Sequence, residues 1–88
     1  MKNWTEEKTY KLDQGIILDL EKRGYKRVEI TKIFNNIEKF TNIKSCDHDF
    51  INYDLKTLTI YKDSIVEYDH RTLKVMVNGH GYIYKFFN

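Results

Sequence analysis

Apolar positions recur at helical spacing in the first half of the chain and alternate with polar ones in the second. Leu12, Ile16, Ile17 and Leu20 lie on one helical face, with Thr5 placed to cap and Glu6 and Glu7 in the first turn. Arg23 and Gly24 supply a stop. Gly15 in the interior costs about 1 kcal/mol relative to alanine, which leaves a second start after Asp13, with residues 8–12 extended. A second helix is predicted over residues 29–41, because Ile30, Ile33, Phe34, Ile37 and Phe40 share one side, with Lys32, Asn35, Asn36, Glu38 and Lys39 on the other.

Residues 42–49 are polar and read as a connector. Beyond them the chain repeats itself: Tyr53-Asp54-Leu55-Lys56-Thr57-Leu58 returns as Tyr68-Asp69-His70-Arg71-Thr72-Leu73. An Asp at the first turn position accepts from backbone amides two residues on, so each copy predicts a hairpin. Lys62-Asp63-Ser64 and Asn78-Gly79-His80-Gly81 offer further turns. Five strands result, over residues 50–53, 57–62, 64–68, 72–78 and 81–87.

Register is testable because a one-residue slip exchanges the two faces of a strand. Pairing Tyr53 with Leu58, Ile60 with Val66, Leu58 with Tyr68, Tyr68 with Leu73 and Val77 with Tyr82 uses ordinary hairpin loops and makes every pair apolar or aromatic. One face then collects Ile51, Tyr53, Leu58, Ile60, Val66, Tyr68, Leu73, Val75, Val77, Tyr82, Tyr84 and Phe86, the side the helices must cover. The other carries Thr57, Thr59, Glu67, Thr72, Lys74 and Lys85, with Glu67 opposite Lys74. Tyr61, Ile65, Met76 and Ile83 interrupt that polar face as an apolar row, unless the N-terminal segment with Trp4 and Tyr10 covers it. The last strand, Tyr82 to Phe87, is an open edge if it lies outermost, guarded by Lys85 alone.

The fold class expected is therefore α+β: two N-terminal helices packed on one face of a C-terminal antiparallel β-meander of four to five strands. Length agrees, since 88 residues make one domain, with a helical half over about 5–41, a connector over about 42–49 and a meander over about 50–87. Fifteen Lys and Arg against thirteen Asp and Glu, interspersed, make a solubility surface rather than a nucleic-acid footprint. Cys46 is alone, no apolar run is long enough to span a membrane, and residues 1–5 lack a secretory signal's apolar stretch. The expectation is a cytoplasmic protein of a bacterial host cell. The absence of proline and alanine beside abundant Lys, Ile, Asn, Tyr and Phe is what a low-GC bacterium, or a phage or mobile element of one, encodes.

No cofactor or metal is expected. Cys46 and His48 with His70 or His80 do not follow a metal-ligand spacing. A nuclease or toxin-like site would need His70 or His80 as acid or base, Arg71 or Lys74 on phosphate, and Tyr82 or Asp69 as helper. The two histidines sit on successive turns, which point to opposite ends of a meander. Asn78-Gly79-His80-Gly81 opens no helix and lacks the Lys-Ser or Lys-Thr of a phosphate loop. Asn3-Trp4-Thr5-Glu6-Glu7 with Leu20-Glu21-Lys22-Arg23-Gly24 resembles the opening of a Myb or SANT repeat over a small part of the chain, lacks the later tryptophans, and implies no function here.

The reading that follows is a small non-catalytic protein-binding module, not an enzyme. It would be an inhibitor of a host enzyme or defence complex, of the anti-CRISPR-like kind that mobile elements encode. Tyr61, Ile65, Met76 and Ile83 would form its centre and Glu67, Lys74 and Lys85 its rim. The alternative is a nucleic-acid-binding accessory or regulatory protein using Lys22, Arg23, Lys26 and Arg27. A protein partner is expected first, nucleic acid second, with a homodimer open and no membrane contact.

Overall fold

The computed structural model describes residues 9–88; Trp4, the cap expected at Thr5, and Glu6 and Glu7 lie outside the described residues. Strand β1 (Thr9–Lys11) leads into helix α1 (Gln14–Arg23), then β2 (Arg27–Phe34) and β3 (Ile37–Ser45). A single helical turn, α2 (His48–Phe50), runs into a π-helical turn over Ile51–Leu55. Strands β4 (Thr59–Tyr61), β5 (Ile65–Tyr68), β6 (Thr72–Val77) and β7 (His80–Phe87) complete the chain. The fold is α+β, with a five-stranded antiparallel sheet in the order β3-β2-β7-β6-β5 and a separate pair formed by β1 and β4.

Helix α1 takes the later of the two starts. The Asp13 carboxylate accepts from the Gly15 amide at 2.9 Å, and the chain before it is extended. Gly24 closes the helix in the left-handed region (φ 65°), with its amide on the Leu20 carbonyl.

The second expected helix is instead the β2–β3 hairpin, so the helices are short and mid-chain rather than an N-terminal helical half. Asn35 and Asn36 both have positive φ, 52° and 65°, which makes the two-residue primed turn matching strand twist. Val28, Ile30, Thr31, Ile33, Thr41 and Ile43 are β-branched, a composition that favours strands over helices. The first half of the expected connector is the end of β3, and the strand expected at 50–53 is helical, started by Asp47 accepting from the Phe50 amide at 3.0 Å.

The two copies of the repeat fold differently. Asp69 accepts from the Arg71 and Thr72 amides, and His70 takes φ 80°, closing the β5–β6 turn. In the first copy Leu55 is fully buried, and the Thr57 hydroxyl returns to the Tyr53 carbonyl within a helical turn. As a result β4 pairs with β1, placing Tyr10 opposite Ile60, and the expected pairs Tyr53–Leu58, Leu58–Tyr68 and Ile60–Val66 do not form.

Tyr68 does face Leu73, and Glu67 faces Lys74. The β6–β7 turn is the two-residue Asn78-Gly79, so Val77 meets His80 and Val75 meets Tyr82, two positions from the expected register. A shift of two keeps every side chain on its face. Leu73, Val75, Tyr84 and Phe86 therefore join Val28 on the covered side, packed with Leu12, Ile17, Leu20, Phe50, Ile51, Leu55 and Ile60. β7 lies in the middle of the sheet, not at its edge; the edges are β3 and β5.

Candidate protein-binding surface

The outer face of the sheet can be read row by row from the ladders. One row runs Ile65, Met76, Gly81, Ile33 and Glu38; the next runs Glu67, Lys74, Ile83, Thr31 and Thr41. The structure brings Ile65 beside Met76 and puts Ile83 in the adjoining row, among Glu67, Lys74 and Lys85, which share a shallow depression with it. Tyr61 is not in these rows, because β4 belongs to the other sheet. Its place is taken by Ile33, which β2 delivers next to β7 and which is 5% exposed. Ile65 is exposed, and Met76 and Ile83 are half-buried.

Tyr61 contributes instead to a groove on the opposite side. A pocket of about 220 Å³ is lined by Phe34, Tyr61, Met76, Val77, His80 and Tyr82 among others. A second, of about 450 Å³, is lined by Phe40, Asn42, Lys44, Tyr53, Asp54 and Tyr84 among others. Lys32, Leu58 and Tyr82 line both, so the two are one continuous trough.

Strand alternation explains the trough. Lys32, Tyr82 and Val75 stand across from one another on β2, β7 and β6, on the face that α1 and α2 cover at the other end of the strands. Five aromatic side chains remain in water there: Phe34, Phe40, Tyr61, Tyr82 and, at 73% exposure, Tyr53. The Phe34 ring meets His80 edge-on at 4.8 Å, and Tyr82 lies 6.0 Å from Tyr84. Lys44 is held by Asp54 at 3.1 Å at one end of the trough. Burial pushes the Tyr84 phenol above its ordinary value, with the neighbouring Tyr82 and Asp54 adding to it, so it stays a neutral hydroxyl in the trough floor. The end near Phe34 is mainly apolar and aromatic, while Lys32, Asn42, Lys44 and Asp54 make the other end polar.

Four of these aromatics were absent from the expected site. Helical spacing puts Phe34 and Phe40 on a helical core face, and the expected register puts Tyr53 and Tyr82 on a covered sheet face. The Asn35-Asn36 pair between β-branched runs was the signal that could have exposed the first two.

The basic segment divides. Arg23 donates to Asp19 at 2.9 Å and to His70 Nδ1 at 3.0 Å, and Arg27 lies 4.5 Å over the Phe87 ring and 3.9 Å from Glu29. Lys22 and Lys26 are exposed. The Tyr68 hydroxyl also donates to Asp19. That hydrogen bond and Arg23 hold the Asp19 carboxyl down at about 2, while burial and Asp19 raise the Tyr68 phenol. With Tyr25 donating to the His70 carbonyl at 2.7 Å, the cluster ties α1 to the β5–β6 turn as a structural clasp.

His70 and His80 stand at opposite ends of β6, about 20 Å of strand apart. His48 contacts Asn52, and Cys46 is half-buried with its thiol pushed up to about 11 by burial and by Asp47. Among the described residues no group of three His, Cys, Asp or Glu is placed to hold a metal, and no helix is long and apolar enough to cross a membrane. Comparison with protein-family models, curated proteins and solved structures finds no match.

Proposed function

We propose that this chain is a non-catalytic protein-binding module that takes apolar and aromatic side chains of a partner into the trough between the sheet and β4. The observation that carries the reading is that five exposed aromatics, Phe34, Tyr61, Tyr82, Phe40 and Tyr53, line two joined pockets. Aromatic anchors in desolvating pockets supply most of the energy of protein interfaces. The patch of Ile65, Met76 and Ile83, with Glu67, Lys74 and Lys85 beside it, is the second contact area in this proposal. Binding would act by occupying a partner's surface, as an inhibitor encoded by a phage or mobile element of a low-GC bacterium does.

Capture from lysate of a low-GC bacterium, with wild type set against Phe34→Asp and Tyr61→Asp, tests the reading. Each substitution should weaken capture about 30-fold or more, with the far-UV spectrum unchanged and nuclease without effect. Capture that survives both substitutions removes the trough from the argument. Capture that nuclease abolishes, falls steeply with salt and is lost with Lys22→Ala and Lys26→Ala replaces it by the nucleic-acid reading.

A further inference from the structure

Among the described residues the longest unpaired strand edge is the outer side of β3. All nine of its residues are exposed, whereas β5, the other edge of the sheet, is four residues long with three exposed. Ile37, Phe40 and Ile43 on β3 are each more than half exposed. An edge of this length and composition is what soluble proteins ordinarily shorten, charge or cover.

The direction of its free groups follows from the ladder. The Cys46 amide donates to the Lys26 carbonyl at 2.9 Å, continuing the pairs Lys44–Val28, Asn42–Ile30 and Phe40–Lys32. In an antiparallel pair hydrogen-bonded residues alternate, so Phe40, Asn42 and Lys44 direct their amides and carbonyls at β2. Thr41, Ile43 and Ser45 direct theirs outward. Past Phe40 the register breaks, since Lys32 faces Phe40 while Ile33 faces Glu38, leaving Lys39 as a bulge. The regular run available for pairing is therefore Phe40 to Ser45, where Ser45 stands across from Arg27.

We propose that this edge pairs with the same edge of a second copy, antiparallel, about a two-fold axis at Asn42, joining the two five-stranded sheets. Thr41 of each copy then faces Ile43 of the other, and their outward amides and carbonyls form four backbone hydrogen bonds. Phe40 faces the other copy's Lys44, and Asn42 faces Asn42. No like charges meet. The Lys44 stem crosses the other copy's Phe40 ring while its ammonium stays on Asp54. Displacing the axis by half a residue would set inner side chains against outer ones and put Lys39 across from Lys44. Centring it on Asn42 sets Phe40 across from Lys44, whereas an axis at Ile43 would set Phe40 across from Cys46, past the end of β3, and the symmetry makes the contact close on itself as a dimer rather than a fibre. The proposed edge shares Phe40, Asn42 and Lys44 with one end of the trough, but it is argued from backbone register and does not rest on the partner reading above.

Sedimentation over a range from about 1 to 300 µM tests it, a span that brackets the modest affinity of a small edge contact. The wild type is expected to pass from monomer to dimer within that range. Ile43→Pro removes an outward amide that no bond among the described residues uses, one in each copy, and should weaken the dimer about 30-fold while keeping the wild-type melting curve. Asn42→Cys in a Cys46→Ser chain should form a covalent dimer on oxidation, because directly opposed residues bring their Cβ atoms within disulfide reach. That cross-link decides the matter if Ile43→Pro fails to fold. A wild type that stays monomeric throughout overturns the proposal, as does a dimer that is indifferent to Ile43→Pro and unlinked at position 42.

Discussion

Gly81→Ala places a methyl group where the structure has no room for one. A Cβ built there lies 2.0 Å from the Val75 carbonyl oxygen, 2.8 Å from Met76 Cα and 2.9 Å from the Val75 carbonyl carbon. All three are backbone atoms of β6, the strand directly paired with this one, so no rotamer change relieves the contact. Real Cβ contacts stop at about 3.0 Å, so β6 and β7 must part by about an ångström at their tightest point. That parting loses about two ladder hydrogen bonds, each worth about 1 kcal/mol net, and adds the strain of overpacking, about 1–3 kcal/mol. The total, about 3 kcal/mol, is a large share of the roughly 5–15 kcal/mol of a typical domain.

Urea unfolding followed by circular dichroism reads it. With a slope of about 1 kcal/mol per molar for a chain this small, the midpoint should fall by about 3 M. Gly24→Ala is the control, because Gly24 has positive φ but no atom within 4 Å of the added Cβ, so it should cost only the left-handed penalty of about 1 kcal/mol. A Gly81→Ala chain as stable as Gly24→Ala would refute the tight β6–β7 approach and, with it, the Asn78-Gly79 turn that sets the register.

Asp19→Asn should lower the urea midpoint at neutral pH. Because the Tyr68 hydroxyl and Arg23 hold the native carboxyl at about 2, below its ordinary 3.8, the stabilisation is present above the ordinary value and lost as pH falls through the native one. The difference between the two chains should therefore be constant down to about pH 5 and close towards pH 2; a difference that does not change with pH would show that charge on Asp19 is not the cause. Cys46, with its thiol raised from 9.0 to about 11 by burial and Asp47, should react with iodoacetamide at pH 8 about a hundredfold more slowly than in urea, and equal rates would refute its burial.

Much of the architecture is local enough to be written in the chain. Asp13, Gly24 and the apolar pair Ile17 and Leu20 specify α1, because capping and amphipathic spacing act within a few residues. The alternation of Leu73, Val75, Tyr84 and Phe86 assigns the covered face of β6 and β7, and it survives a register error of two because the strand period is two. The Glu67–Lys74 pair and the Ile65–Met76 contact follow from the same alternation and one tight turn at Asp69.

What the chain could not decide alone is where a segment compatible with two periods settles. Ile30, Ile33, Phe34, Ile37 and Phe40 satisfy helical spacing, yet β7 offers β2 a full ladder from Arg27 to Ile33, and pairing with a second strand outweighs local spacing. The two copies of Tyr-Asp-x-x-Thr-Leu part for the same kind of reason: Leu55 finds a buried place against α1 and becomes helical, while Thr72 finds β7 and becomes strand. Strand order is set by contacts between residues far apart in sequence, and it alone puts β3 at an edge, moves Tyr61 out of the outer row and gathers five aromatics around one trough.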